Sequence, residues 1–507
     1  MQPQSHFNYI IIGAGSAGAI LAARLSKDPS CQVLLLEAGP DYPHMALIPE
    51  EIKFRRGSKD NLEAKQTHDW GYQAAVTTET ADIHLPRGKV TGGSSAINGM
   101  VFLRGESDDY NSWADAGNDR WSFDEVLPYF RKIETDINFP NEHHGIEGPT
   151  PVYRYPATEW TPDQSAFYEA CRAAGIPDCP DLNQTGSTGV GAYPLNMVDG
   201  IRYSTAITYL NPVRHRANLT ILAERMAYQI LFSGKRAVGV EVKHAGEKEA
   251  FSCDEVIVSA GGIGSPQLLM LSGIGPAEGL QQLEIPVLVD LPGVGQNLRD
   301  HMTVEMHWHL EPDFVIDPSK HGHQVGLRYT ASNSNLVNDM IVYQGTRFPN
   351  RIYLMRPTVN LALSSGELQL ASTDPKVQPI LNMRYYDHPF DRMRQREAIR
   401  MCIELAHHHS FEGIIANRIK PTDVDLASDE SVDAYIMREA TTGHHASSTC
   451  KMGPNSDPLS VVDQFGRVHG VEGLRVVDAS IMPDSVRANI NACVLMIGER
   501  MADLIRE

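Results

Sequence analysis

Gly13, Gly15, Gly18 and Glu37 are the residues whose types and spacing first suggest chemistry. In a G-x-G-x-x-G turn the first glycine permits the tight turn, the second lets the backbone approach a pyrophosphate, and the third lets a helix pack closely on a strand. Glu37 follows Gly18 by 19 positions, where an acid can accept hydrogen bonds from ribose hydroxyls and would repel a 2′-phosphate. The set implies a bound dinucleotide of the FAD or NAD kind and argues against NADP.

For those residues to act together they need a strand, a turn and a helix in that order. "FNYIII" is a short apolar run with β-branched weight, and "AILAARL" repeats its apolar residues at helical spacing. A second apolar run, Val33 to Leu36, delivers Glu37. Unpaired N–H groups at the start of the helix then face the phosphates. Downstream, "NLTILAERMAYQILFSGKRAVGVEVKHAGEKEAF" alternates apolar and polar residues around Gly234-Lys235 and predicts an antiparallel meander. No second G-x-G-x-x-G opens another βαβ unit, which argues against a dedicated NAD(P)H site.

The 507 residues are 42% hydrophobic and 21% charged, enough for a large core and two interleaved domains. The formal charge of −19 disfavours binding to nucleic acid or an anionic membrane. No apolar stretch approaches the roughly 20 residues that span a bilayer, and "MQPQSHF" lacks the features of a secretory signal, so a cytoplasmic location without membrane insertion is expected. The seven cysteines are scattered singly, without a C-x-x-C pair, which argues against a disulfide framework or a zinc site; no metal is expected.

Four blocks, in order, carry a family resemblance: the N-terminal fingerprint, "GKVTGGSSAINGMVFLRG", "GGIGSPQLLMLSGIGP" with "DLPGVGQNLRDH", and "HHASSTCKMG" through "GLRVVDASIMPDSVRANINACVLMIGERMADLI". With them nearly the whole chain resembles the glucose–methanol–choline (GMC) oxidoreductases. The resemblance implies an α/β (α+β) fold, with a Rossmann-like FAD-binding domain and an interleaved substrate domain on an antiparallel sheet. It assigns 1–300 mainly to the FAD side with 151–215 partly on the substrate side, 301–440 to the substrate domain, and 441–507 to a return carrying the active site.

The same resemblance supplies roles. His445, in the family's His-x-x-Gly-Thr pattern with Thr449, becomes the base for the alcohol hydroxyl, and Asn489, at the mouth of the last helix, a hydrogen-bond donor to the substrate oxygen. The pattern's glycine is Ser448 here, which leaves the shape of that loop open. FAD contacts are implied for Gly13, Gly15, Ser16, Gly18, Glu37, Ala38, Gly93, Ser94, Asn98, Gly99, Ala227, Asp478, Ala479, Asn489 and Asn491. Members with histidine-linked flavin carry that histidine just before the block's asparagine, where Ile97 precedes Asn98, so the FAD is expected to be noncovalent. The implied reaction is oxidation of a primary alcohol, aryl or furanyl in preference, with O2 or another electron acceptor. A choline-type dehydrogenase and a non-redox hydroxynitrile lyase are the alternatives, and the oligomeric state is unknown.

Further expectations attach to single residues. Neutral His445 should give a rate that rises with pH through one ionisation in the imidazole range. Gly443 leaves room above the flavin, His301 is structural or packs on the flavin side, and His444 either walls the pocket or faces solvent. His143-His144 reads as a solvated pair, and His407-His408-His409 as helical neighbours on different faces that cannot share a metal. Trp308, Tyr343 and Tyr353 do not by sequence alone assemble the cage that a trimethylammonium group requires.

Overall fold

The structure is a computed structural model that describes residues 6–54, 67–317, 320–347 and 349–507. Two sheets organise it. The first has seven strands, ordered Leu219–Leu222, Val33–Leu36, His6–Ile12, Glu247–Val258, Arg236–His244 and Met226–Ser233, with Leu474–Val476 beside Glu247–Val258. The strands around His6–Ile12 run parallel. Val33–Leu36 is buried throughout, as is the end of His6–Ile12, and these read as unbroken apolar runs.

The expected meander holds for its last three strands, which pair antiparallel. Its first strand, Leu219–Leu222, instead pairs parallel with Val33–Leu36. Alternation cannot distinguish these cases, because a side-chain period of two is common to both pairings.

The helix Ser16–Leu25 follows the glycine turn and packs against the last helix, Ile490–Arg506. Gly498 makes the close approach possible, since a Cβ there would sit 3.2 Å from Ala17 Cα. The two helices therefore begin side by side, and Ser16 Oγ donates to Asn491 Oδ1 at 2.9 Å between their first turns.

The second sheet is antiparallel and has eight strands, ordered Ile415–Lys420, Met306–Leu310, Ile352–Val359, Met340–Arg347, Val325–Tyr329 and Gly189–Ala192. Met302–Val304 pairs with both Ile352–Val359 and Ala440–Thr442 at one end. The helix Pro389–Ala406 packs on the Ile352–Val359 strand. The chain visits this sheet at Gly189–Ala192, crosses to the first for Leu219–Leu222 through Glu247–Val258, returns at Met302–Val304, leaves at Ala440–Thr442 and rejoins the first at Leu474–Val476. Among the described residues, no helix is long and apolar enough to cross a membrane.

Candidate active site

One cavity of about 960 Å³ runs between the two sheets, at the upper end of the roughly 300–1,000 Å³ usual for ligand sites. It is lined by His445 and by every residue named above as an FAD contact, with the exception of Gly18. Gly18 lies behind the lining, where a Cβ would be 2.0 Å from Gly13 O. Gly13 has φ of +101°, and a Cβ on it would meet Ser259 O at 2.4 Å.

Gly15 differs in kind. A Cβ there would meet nothing nearer than Gly93 Cα at 3.9 Å, so the protein's own packing does not demand a glycine. The space above it belongs to the cavity. Gly15 also caps the Ser16–Leu25 helix without a side chain, leaving the first-turn N–H groups directed at a ligand. A pyrophosphate fits this cradle.

Glu37 is buried at the end of its strand, where Ala14 N–H donates to Oε2 at 3.0 Å and Gly39 N–H to Oε1 at 2.9 Å. Each oxygen retains acceptor capacity for a ribose hydroxyl. Burial pushes the carboxyl up to about 7 against those backbone hydrogen bonds. Asp478 is committed differently: Oδ2 accepts from Gly261 N–H and Ser265 Oγ, and Oδ1 from Ser480 N–H. It ties the start of the helix Gly261–Leu271 to the cavity wall. The residues present thus fit an FAD.

The second end of the cavity holds a hydrogen-bonded relay of side chains. His301 Nε2 lies 2.9 Å from Val486 O and 3.0 Å from Ser485 Oγ; the carbonyl can only accept and the hydroxyl can accept as well, so that nitrogen carries the proton. Its Nδ1 must then accept from His445 Nδ1, 2.8 Å away. His445 is left with its lone pair on Nε2, facing Asn489 Nδ2 at 3.2 Å. Tyr343 completes the arrangement by donating to Asn489 Oδ1 at 3.1 Å, which turns the amide so that its NH2 points to the histidine. Both rings are held neutral. Burial pushes His301 down to about 4, against Asp300, and pushes His445 well below the imidazole range, helped by His301 and the Arg87 charge.

Asp300 fixes the backbone of the pair: Oδ1 accepts from the N–H groups of both His301 and His445 at 2.7 Å, and Oδ2 accepts from Tyr385 and Thr442. Arg87 donates to the carbonyl of His444. Ser448 is buried and has φ of +69°, so the loop takes the left-handed turn with a serine, at a cost of about 1 kcal/mol. Thr449 is structural, its hydroxyl donating to Gly262 O at 2.7 Å.

These positions correct five expectations. Gly443 does not leave room: a Cβ would lie 2.8 Å from His301 O and 2.9 Å from His301 Cβ, so the glycine lets the histidine pair close. His301 touches the base itself, a contact between residues 144 positions apart. The ionisation of His445 lies below the imidazole range rather than in it, because the ring is buried without a carboxylate against it. His144 is buried, not solvated, with Glu134 and Asp181 each 2.8 Å from a ring nitrogen. His407 ends its helix and His408 caps the next turn, accepting from Ser410 N–H, so the three histidines do not share one helix. His444 lines the cavity. Of Trp308, Tyr343 and Tyr353, Tyr343 alone lines it, since strand alternation sends the other two to the opposite face.

Sequence reasoning missed Tyr343 as a partner of Asn489, and Arg87, Asp300, Arg347 and Arg356. Arg347 shares a strand face with Tyr343 and Gly345, and Arg356 lies directly opposite Tyr343, a register that the folded sheet supplies.

A dinucleotide cradle joined to a neutral histidine under an antiparallel sheet is the site of a dinucleotide-dependent enzyme with a base held beside its cofactor cavity. The chain belongs to the GMC oxidoreductases, FAD enzymes acting on CH–OH donors: family models for their N- and C-terminal parts match residues 7–303 and 362–498. An oxygen-dependent choline dehydrogenase of Burkholderia thailandensis is 38% identical over 99% of this chain and 94% of that protein. The mitochondrial choline dehydrogenase of Mus musculus is 35% identical, over 99% and 90%. Among solved structures, pyridoxine 4-oxidase from Mesorbium loti superposes with a TM-score of 0.91 at 30% identity, covering 98% of this chain and 99% of that one.

Proposed function

We propose that this protein oxidises a primary alcohol to the aldehyde, with His445 Nε2 taking the hydroxyl proton. The carrying observation is the lone pair left on Nε2 in the cavity by the Val486–His301–His445 chain. When bound, noncovalent FAD supplies the hydride acceptor. Gly15, Gly93 and the start of the Ser16–Leu25 helix would hold its phosphates and Glu37 its ribose, while Ile97, which lines the cavity, offers no nucleophile for a covalent link.

Asn489 cannot take a proton; its amide steers the hydroxyl toward Nε2. The start of the Ile490–Arg506 helix presents its N–H groups, equivalent to about half a positive charge, where negative charge would develop on reduction. Seven free cysteines accord with a reducing, cytoplasmic setting.

For the substrate, a ring-bearing alcohol of the aryl or furanyl kind is our first reading. Choline is the second, favoured by the identity to choline dehydrogenases. Anaerobic titration with benzyl alcohol, hydroxymethylfurfural, pyridoxine and choline, followed at the flavin band and then opened to air, tests both. Bleaching by a ring-bearing alcohol supports the first reading and bleaching by choline alone the second. Retention of the yellow colour with every alcohol, accompanied by cleavage of a cyanohydrin, would replace both with the lyase.

A further inference from the structure

The cavity wall formed by the antiparallel sheet carries two guanidinium groups that alcohol oxidation by His445 does not use. Arg347 and Arg356 both line the cavity. Behind them Glu305, which is not a lining residue, accepts from Arg356 Nε at 2.9 Å and from Arg347 Nη2 at 2.9 Å, with His307 Nε2 3.0 Å from its other oxygen. Burial opposes ionisation of Glu305, but Arg356, the His307 hydrogen bond and Arg347 outweigh it and hold the carboxyl well below its usual range. One carboxylate thus orients two cations and neutralises one. The wall keeps a net positive charge on a chain whose formal charge is −19.

Donors remain as well as charge. A guanidinium has five N–H donors, and the contacts with Glu305 involve two nitrogens of each arginine: Nε and Nη2 of Arg356, Nη1 and Nη2 of Arg347. The position is one side chain from the chemistry. Arg356 pairs across the sheet with Tyr343, whose hydroxyl reaches Asn489, which in turn meets His445. The acids among the described lining residues, Glu37 and Asp478, lie at the dinucleotide end with their oxygens bonded to backbone N–H groups.

We infer that the alcohol oxidised here carries a carboxylate at the end remote from its hydroxyl, bound by Arg347 and Arg356 while the carbinol meets His445. The inference rests on the alcohol-oxidation reading and narrows it to acidic alcohols. A planar carboxylate suits the guanidinium fork, and a quaternary ammonium would meet two cations whose one counter-ion is already shared. Choline is thereby disfavoured.

The test compares, on the holoenzyme, 4-(hydroxymethyl)benzoate, 4-methylbenzyl alcohol and 4-(hydroxymethyl)phenyl-trimethylammonium by kcat/KM. The carboxylate should lead its neutral analogue by about tenfold or more, as expected for charge-assisted hydrogen bonds, and the cation should be poorest. Arg356→Gln and, should that variant fold poorly, the more exposed Arg347→Gln should erase the lead while leaving 4-methylbenzyl alcohol within about twofold. Arg356→Lys should retain part of it. Equal rates for acid and neutral alcohol, a preference for the cation, or equal losses on all three in the variants would overturn the inference. Calorimetric titration with 4-methylbenzoate, which has no hydroxyl to oxidise, separates the two readings. Binding that weakens in Arg356→Gln supports the arginine site even if no alcohol bleaches the flavin, whereas absence of binding overturns it even if alcohols are oxidised.

Discussion

His445 and His144 are both buried, both within hydrogen-bonding reach of polar partners, and held in opposite charge states. His445 meets a histidine nitrogen and an amide, and the nearest acid, Asp300, spends Oδ1 on backbone N–H groups instead of the ring. His144 meets Glu134 at Nδ1 and Asp181 at Nε2, with Asp136 3.1 Å from Nδ1, so both nitrogens must carry protons. Burial alone would lower His144, but the hydrogen bonds to Asp181 and Glu134 outweigh it and raise the ring to about 9. Arg104 and Arg154 complete that cluster: the three carboxylates face two guanidiniums and one imidazolium. The acids could have suggested a metal site; the cations already balance them. Whether an acid meets the ring or the backbone decides whether a buried histidine is a free base or a structural cation.

The comparison can be broken most directly at His445. His445→Ala should slow anaerobic flavin bleaching by about 10²–10⁴-fold, the range for loss of a general base, with FAD content per mole of protein unchanged. Loss of the flavin together with the activity would instead make the histidine structural.

Next in size is the structural cation. His144→Gln should cost about 3 kcal/mol in urea unfolding, as when one partner of a buried ion pair is removed, with bleaching rates near wild type. Because the folded ring titrates near 9, above its unfolded value of about 6.5, this contribution is fully present below pH ~6.5 and lost as pH rises through about 9. The difference between wild type and variant should therefore shrink across that interval; a pH-independent difference would deny the charge.

The smallest effect sharpens the tautomer assignment. His301→Leu removes the acceptor of His445 Nδ1–H and should slow bleaching by about tenfold, the worth of one hydrogen bond. In wild type the rate should be level from pH 6.5 upward and fall only in more acidic solution, because a base held below the imidazole range is already neutral there. A wild-type profile still rising between pH 7 and 9 would contradict that assignment.

Much of the cofactor end is legible in the sequence because it is local. Gly13, Gly15, Gly18 and Glu37 lie within one βαβ unit, and the turn, helix start and acid are specified by spacing. His445 and Asn489 came from the family pattern, and the structure brings them 3.2 Å apart. The burial of His144 was not legible, because its acids come from Glu134 and Asp136 on one strand and Asp181 on a distant loop. Gly443 was misread for the same reason, since the side chain that requires it belongs to His301.

The sequence by itself determined the glycine turn, the helix and strand periods, the acid at Glu37 and the family of the chain, all properties carried by residues close together or by ordered blocks. Only the tertiary structure decided which nitrogen of His445 is basic, which histidine is charged and which arginines face the cavity. Those outcomes depend on carbonyls, carboxylates and strand registers brought in from elsewhere in the chain, and desolvation together with the nearest charge sets a proton's place only once they have arrived.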